Sequence, residues 1–304
     1  MNATGSPDWR DRPERSNPFT LWLIRTLALR GGRWLGRALL YPITVYYIAT
    51  SPTSRRVSRA YLRRVLDREP RARDLWHHFF TFASVILDRV FFLSGRHARL
   101  HIDIRGADVV QAARDTGDGG AILIGAHIGS FDAARALGQA RVDLPLRVLM
   151  DTEHNPAITR LLHALNPDIA RTALQPGRAD TALRIHEALA DGEFIGILAD
   201  RTHDPADKTV VVDFLGAPAH FPLGPMRLAL ALHAPVILFV GLYQGAGRYV
   251  LQFERLDDGT ETPRNARDAR AQELVQRYAA SLEHQLRNAP YNWFNFYDFW
   301  RFHT

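Results

Sequence analysis

From about residue 98 onward, short apolar runs alternate with stretches of helical periodicity, and no other property of the chain narrows its fold so far. Strand candidates are Leu100–Ile104, Ala121–Ile124, Leu146–Met150, Phe194–Leu198, Val210–Phe214, Val236–Gly241 and Tyr249–Phe253. Helix candidates are Ala107–Arg114, Phe131–Gln139, Pro156–Leu165, Ala179–Ala190, Pro222–Leu232 and Ala266–Arg287. Continuous apolar runs suit strands buried on both faces, and intervening helices carry the chain back for parallel pairing. The pattern predicts an α/β fold: a mostly parallel central sheet flanked by helices.

The first part of the chain reads differently. Residues 1–73 hold 15 arginines against five acids, a net charge of +10, whereas all 304 residues together come to +6. The arginines are interleaved with Phe19, Leu21, Trp22, Trp34, Leu39, Leu40, Tyr41, Tyr46 and Tyr47. Arginine beside Trp and Tyr suits an anionic membrane surface; a nucleic-acid partner would leave so many bulky apolar residues without a purpose. The single lysine, Lys208, means that compositional bias contributes to the arginine count. The stretch Trp34–Ala49 is 16 residues long, contains Arg37 and is interrupted by Pro42. A span needs about 20 apolar residues, so one or two interfacial helices are expected, with a single tilted span as the alternative. Residues 1–18 lack the apolar core of a secretory signal. The expected division is a disordered 1–17, an apolar-basic helical membrane-associated segment over 18–96, and an α/β domain over 97–304. The break at Ser51–Ser54 caps a helix Arg55–Asp67, and Asp74–Leu93 forms a further long helix with a Phe-rich face.

There is no cysteine, which removes thiolate nucleophiles, disulfides and zinc fingers together. Within the α/β region, Ala121–Ile124 leads through a small-residue turn to His127, then to a helix start near Ser130 with Asp132 in its first turn. Three His-x-x-x-x-acid pairs occur: His127/Asp132, His163/Asp168 and His186/Asp191. The latter two fall inside helical patterns, where residues five apart point about 140° away from each other. Only His127 sits on a strand-to-helix turn, at the carboxyl end of a strand where ligand crevices of parallel sheets open. A histidine beside a carboxylate there is a candidate general base; a turn histidine near a helix-capping acid is the plainer alternative.

Asp200 and Arg201 follow the strand Phe194–Leu198 and fall at the same edge. Asp200 either orders an arginine, binds an acceptor, or simply pairs with Arg201 in a loop. His203, Asp204 and Asp207 have no second histidine at ligand spacing, so no metal is expected. The segment Phe214–Pro225, with Gly216 and several prolines, reads as a shaped apolar loop that contacts a fatty chain or serves as structure only. No Gly-x-Ser-x-Gly elbow, Walker loop or Gly-x-Gly-x-x-Gly after a strand is present, and no cofactor is implied. A base without a protein nucleophile points to deprotonation of a substrate hydroxyl or of water.

Taken together, the His127-x-x-x-x-Asp132 turn, Gly192-Glu193-Phe194 leading to Ala199-Asp200, the Phe214-to-Pro222 segment and Ala289-Pro290-Tyr291-Asn292-Trp293 resemble the bacterial late acyltransferases of lipid A biosynthesis. These belong to the lysophospholipid and glycerol-phosphate acyltransferase superfamily. The resemblance implies a membrane-associated O-acyltransferase on the cytoplasmic face of the inner membrane. Its donor is acyl carrier protein or coenzyme A thioester, and its acceptor a lipid or glycolipid hydroxyl. It makes His127 the general base and Asp132 the group that orients it. Arg171, with Arg178 as rival, becomes the arginine that stabilises a phosphate or oxyanion, and Asp200, Arg201, Phe214 and Gly216 join the substrate side. The lipid A branch mostly carries Glu at the Asp132 position and basic residues after the closing Trp; here Trp293 is followed by Phe294, Phe296, Tyr297, Phe299 and Trp300. That aromatic tail resembles relatives from specialised lipid pathways. A hydrolase using the same His/Asp pair on water, or a non-catalytic acyl-chain binding protein, are the competing readings.

Overall fold

The computed structural model describes residues 18–96, 100–115, 119–133, 145–150, 165, 169–201 and 207–300. Three helices come first: α1 (Pro18–Thr50), broken at Gly32, then α2 (Pro52–Leu66) and α3 (Ala72–Leu93). The α/β region follows as β1 (His101–Arg105), α4 (Ala107–Asp115), β2 (Ile122–Gly125), β3 (Leu146–Leu149), a helical turn Ile169–Thr172, β4 (Ala173–Leu174), α5 (Thr181–Ala190) and β5 (Phe194–Leu198). It ends with β6 (Thr209–Phe214), β7 (Ala217–Pro222), α6 (Gly224–Ala231), β8 (Val236–Tyr243), β9 (Arg248–Asp257) and α7 (Arg267–Asn288).

Seven strands form one sheet in the order β1-β9-β8-β2-β5-β3-β4. All neighbours are parallel except β8 and β9, so the sheet is mostly parallel, as the run pattern predicts. Every residue of β2 and β8 is buried, the signature of strands covered on both faces. Alternate side chains feed two cores. Ile122 and Ile124 meet Tyr61 of α2, Ile185 of α5, Met226 of α6 and Leu274 of α7. Leu123, Ile237 and Phe239 meet Leu40, Leu87 and Phe91 from α1 and α3, and Val110 of α4.

Three expectations change. Val210–Phe214 is not a strand of the central sheet: β6 pairs antiparallel with β7 in a separate two-stranded hairpin. The expected apolar loop at Phe214–Pro222 is therefore half of a hairpin, turned by Leu215 (φ 51°) and Gly216 (φ 73°), the two left-handed residues of a primed turn. Its two prolines, Pro218 and Pro222, tolerate this because a two-stranded hairpin has free edges. The helix expected from Pro222 begins at Gly224. Residues 1–17, 134–139 and 156–164, where disorder and parts of two helices were expected, lie outside the described residues.

Among the described residues no helix is long and apolar enough to cross a membrane. Past Gly32, α1 lies against α3. Arg33 forms a two-point ion pair with the fully buried Asp88 (2.7 and 2.9 Å), which also accepts from Tyr249. Gly36 sits directly on Leu87, and Arg37 donates to Tyr243 Oη at 2.7 Å. Trp34, Val45 and Tyr46 of the same helix are each more than half accessible, and so is Tyr41, although its ring packs beside Trp76 and Phe80 of α3.

Candidate active site

β2 and β5 are adjacent and parallel, with Gly125 opposite Leu198. Two further residues along each strand direction bring His127 and Asp200 face to face at the carboxyl edge of the sheet. His127 Nδ1 lies 2.8 Å from Asp200 Oδ1, and the His127 backbone N–H donates to Oδ2 at 3.1 Å. The Trp293 indole N–H donates to the same Oδ2 at 3.2 Å. A buried carboxylate is tolerated only when its lone pairs are used, and here three donors use them. Burial alone would raise the Asp200 pKa, but His127, its two hydrogen bonds and Arg201 outweigh it and hold the carboxyl well below the usual range.

An ionised Asp200 can only accept, so the imidazole proton sits on Nδ1 and the Nε2 lone pair is left bare. The ring is 32 % exposed, and Nε2 has no hydrogen-bond partner among the described residues. Enclosure of the ring lowers its pKa below 6.5, aided by the charges of Arg201 and Arg89 and opposed by Asp200. At neutral pH the ring is a neutral base with its open nitrogen at the sheet edge.

The backbone around this pair admits only glycine at two positions. Gly129 has φ +58°, and a Cβ there would sit 1.9 Å from the Gly241 carbonyl oxygen. At Gly241 a Cβ would come within 2.2 Å of the Ser130 oxygen. This close approach lets Ser130 N–H donate to Gly241 O and Gly129 N–H to Asn292 O. The segment after α7 closes the site: Phe294 N–H donates to the His127 carbonyl at 2.8 Å, and Ile128 bridges to Trp293. Asn292 fixes that segment by bonding both the N–H and the C=O of Tyr243.

A sequence model of the bacterial lipid A biosynthesis acyltransferases matches residues 72–302, from the start of α3 through Trp293. The chain belongs to that family. It is therefore an acyltransferase, and the match spans every residue of the pair and its supports. No individual curated protein matches closely enough to stand as a relative.

In this member of the family the carboxylate bonded to the imidazole is Asp200. Asp132, expected in that role, is instead held by Arg89: its Oδ2 accepts from Arg89 Nε at 2.6 Å. The local reason is the cap. Ser130 Oγ accepts from Ala133 N–H at 3.2 Å, which starts the helix at Phe131 and sets Asp132 in its first turn, where α3 brings Arg89. Arg201 lies beside the pair, donating to Phe294 O at 3.2 Å and stacking over Tyr297 at 5.2 Å.

Of the other expected residues, Phe214 touches the network around His127 through Trp293. Arg171 is exposed on the helical turn before β4, and Arg178 is exposed and 3.6 Å from Asp180. Phe214 is fully buried with its ring against Trp293, Phe221, Phe299 and Trp300, and Gly216 lies at the hairpin tip. Phe214 is thus part of the aromatic core beside the site, while Gly216 is exposed. Sequence reasoning missed Arg89, one arginine of many in a helical pattern with no marking of its own. It quoted Trp293 within a closing motif but found no role for its indole.

Proposed function

We propose that this acyltransferase moves an acyl chain from a carrier-protein thioester, or less favourably a coenzyme A thioester, to the hydroxyl of a lipid or glycolipid. One observation carries the reading: a neutral imidazole whose Nδ1–H is tied to a buried carboxylate while Nε2 stays open. His127 Nε2 takes the proton as the acceptor oxygen attacks the thioester carbonyl. The new C–O ester bond forms, the C–S bond breaks, and the proton passes from His127 to the departing thiolate. Asp200 fixes the ring and stabilises the imidazolium, as the acid of a triad does without a serine. Asp132 acts one step away by holding Arg89, whose charge reaches the ring.

The acceptor lies at a bilayer surface in this reading, on the cytoplasmic face of the inner membrane. The exposed residues of α1 support it: Trp34, Val45 and Tyr46 are more than half accessible, whereas Arg33, Gly36 and Arg37 hold the helix to the rest of the fold. Exposed Trp and Tyr rings suit the headgroup boundary.

The test is transfer by purified His127→Ala against wild type, with labelled acyl carrier protein thioester and a lipid extract as acceptor. Turnover should fall by about 10²–10⁴-fold, the usual worth of a positioned base, with folding retained. Wild-type turnover in His127→Ala would remove the proposed base. Fast release of free acid by the wild-type protein without acceptor would reassign the same pair to hydrolysis.

A further inference from the structure

His78 of α3 is fully buried, far from His127 in sequence, and polar where the surrounding helix faces are apolar. Its Nε2 lies 2.7 Å from the Trp293 carbonyl oxygen and its Nδ1 lies 2.7 Å from Ser58 Oγ of α2. A carbonyl only accepts, so the proton is on Nε2, and the Ser58 hydroxyl donates to the bare Nδ1. Both ring nitrogens are satisfied. The rings of Tyr61, Phe294 and Phe296 enclose the imidazole at 5.4, 6.4 and 5.0 Å between centroids. Burial, opposed by the bond to the Trp293 carbonyl, holds the pKa at about 4, so the ring is neutral and keeps one tautomer.

The carbonyl that His78 grips belongs to the residue on which the site converges. The Trp293 side chain donates to Asp200 at 3.2 Å. The next amide, Phe294 N–H, donates to the His127 carbonyl at 2.8 Å, and Phe294 O accepts from Arg201 at 3.2 Å. Displacing the Trp293 peptide would shift the imidazole, its carboxylate and the adjacent guanidinium together. A phenylalanine at position 78 would fill similar volume without that grip.

We propose that His78, held by Ser58, is a positioning residue for the reaction: through the Trp293 main chain it sets how Asp200 meets His127. This rests on the proposed function of the His127–Asp200 pair. The charged groups facing His127 are Asp200 and Arg201 beyond β5, and Arg89 of α3 with its partner Asp132. If the Trp293 indole retreats, Asp200 loses a donor, its charge is less compensated, and water reaches the ring. Both changes raise the proton affinity of His127.

The experiment compares His78→Phe, His78→Gln and Ser58→Ala in the full chain, reading kcat, KM for the acyl donor and the pH profile of kcat/KM. A glutamine at 78 supplies an N–H for Trp293 and an oxygen for Ser58. His78→Phe should lower kcat by about 10- to 100-fold, the scale of a displacement near 1 Å, with KM little changed and the acid limb moved to higher pH. His78→Gln should recover most of the loss. Ser58→Ala, which removes only the tether, should move both readouts the same way by a few-fold. If His78→Phe does not fold, Ser58→Ala and His78→Gln decide: a wild-type acid limb and kcat in Ser58→Ala, or a glutamine variant as impaired as His127→Ala, overturns the proposal. Wild-type kcat and an unmoved limb in a folded His78→Phe also overturn it. Should His127→Ala itself keep full turnover, the fault lies in the proposed function instead.

Discussion

Two carboxylates lie at the edge of the sheet near His127, and only one touches it. Asp200 accepts the Nδ1 proton, while Asp132 is engaged by Arg89. Amide substitutions separate the roles. Asp200→Asn keeps the shape but lets the amide oxygen or nitrogen face Nδ1, so the tautomer and the imidazolium both lose support. Transfer should fall by about 10²–10⁴-fold. Asp132→Asn frees Arg89 without touching the ring and should cost less, with the acid limb of the pH profile displaced rather than the rate abolished. A steady-state assay of both variants side by side checks the ranking, and equal losses would return Asp132 to the position of direct partner.

At the scale of elements, α1 has two faces with separate duties. One is fastened by Arg33, Gly36 and Arg37; the other displays Trp34 and Tyr46 at 79 % and 68 % accessibility. Trp34→Ser with Tyr46→Ser should leave thermal stability near wild type and weaken sedimentation with vesicles containing anionic phospholipid, by the partitioning of two aromatic rings. Vesicle binding unaltered in the double variant would rule out this face as the contact. The central strands were legible because uninterrupted apolar runs such as Phe194–Leu198 have few other solutions, and the observed β5 has those same bounds. Of the β6–β7 hairpin only the first strand was legible, as Val210–Phe214; the second was not, because Pro218, Pro222 and Gly216 look like loop chemistry and Leu215 in a left-handed turn position is an unusual choice. His127 was visible from its turn. Its partner was not, because spacing along the chain favours Asp132 whereas the choice of Asp200 depends on β2 and β5 being neighbours in register.

The molecule as a whole carries its polar interior as neutral histidine and ionised carboxylate, and this sets its response to acid. His78 drops from the ordinary 6.5 to about 4 in the folded protein. The unfolded chain therefore binds more protons between these values, and folding stability declines as pH falls from about 6.5 to 4. The full effect is about 3 kcal/mol, and the lowered pKa of His127 adds in the same sense. The lowered carboxyl of Asp200 is lost at more acid pH still. Urea midpoints between pH 7 and 4 should follow this slope, and His78→Gln should flatten it. An unchanged slope in that variant would place the acid sensitivity elsewhere. The loop that joins His78 to Asp200 comes after α7, later in the chain than every strand of the sheet. A chain shortened before Asn292 would keep every strand of the sheet yet lose the indole that donates to Asp200 and the amide that holds the His127 carbonyl, so the core and the support of the acid–base pair are separable.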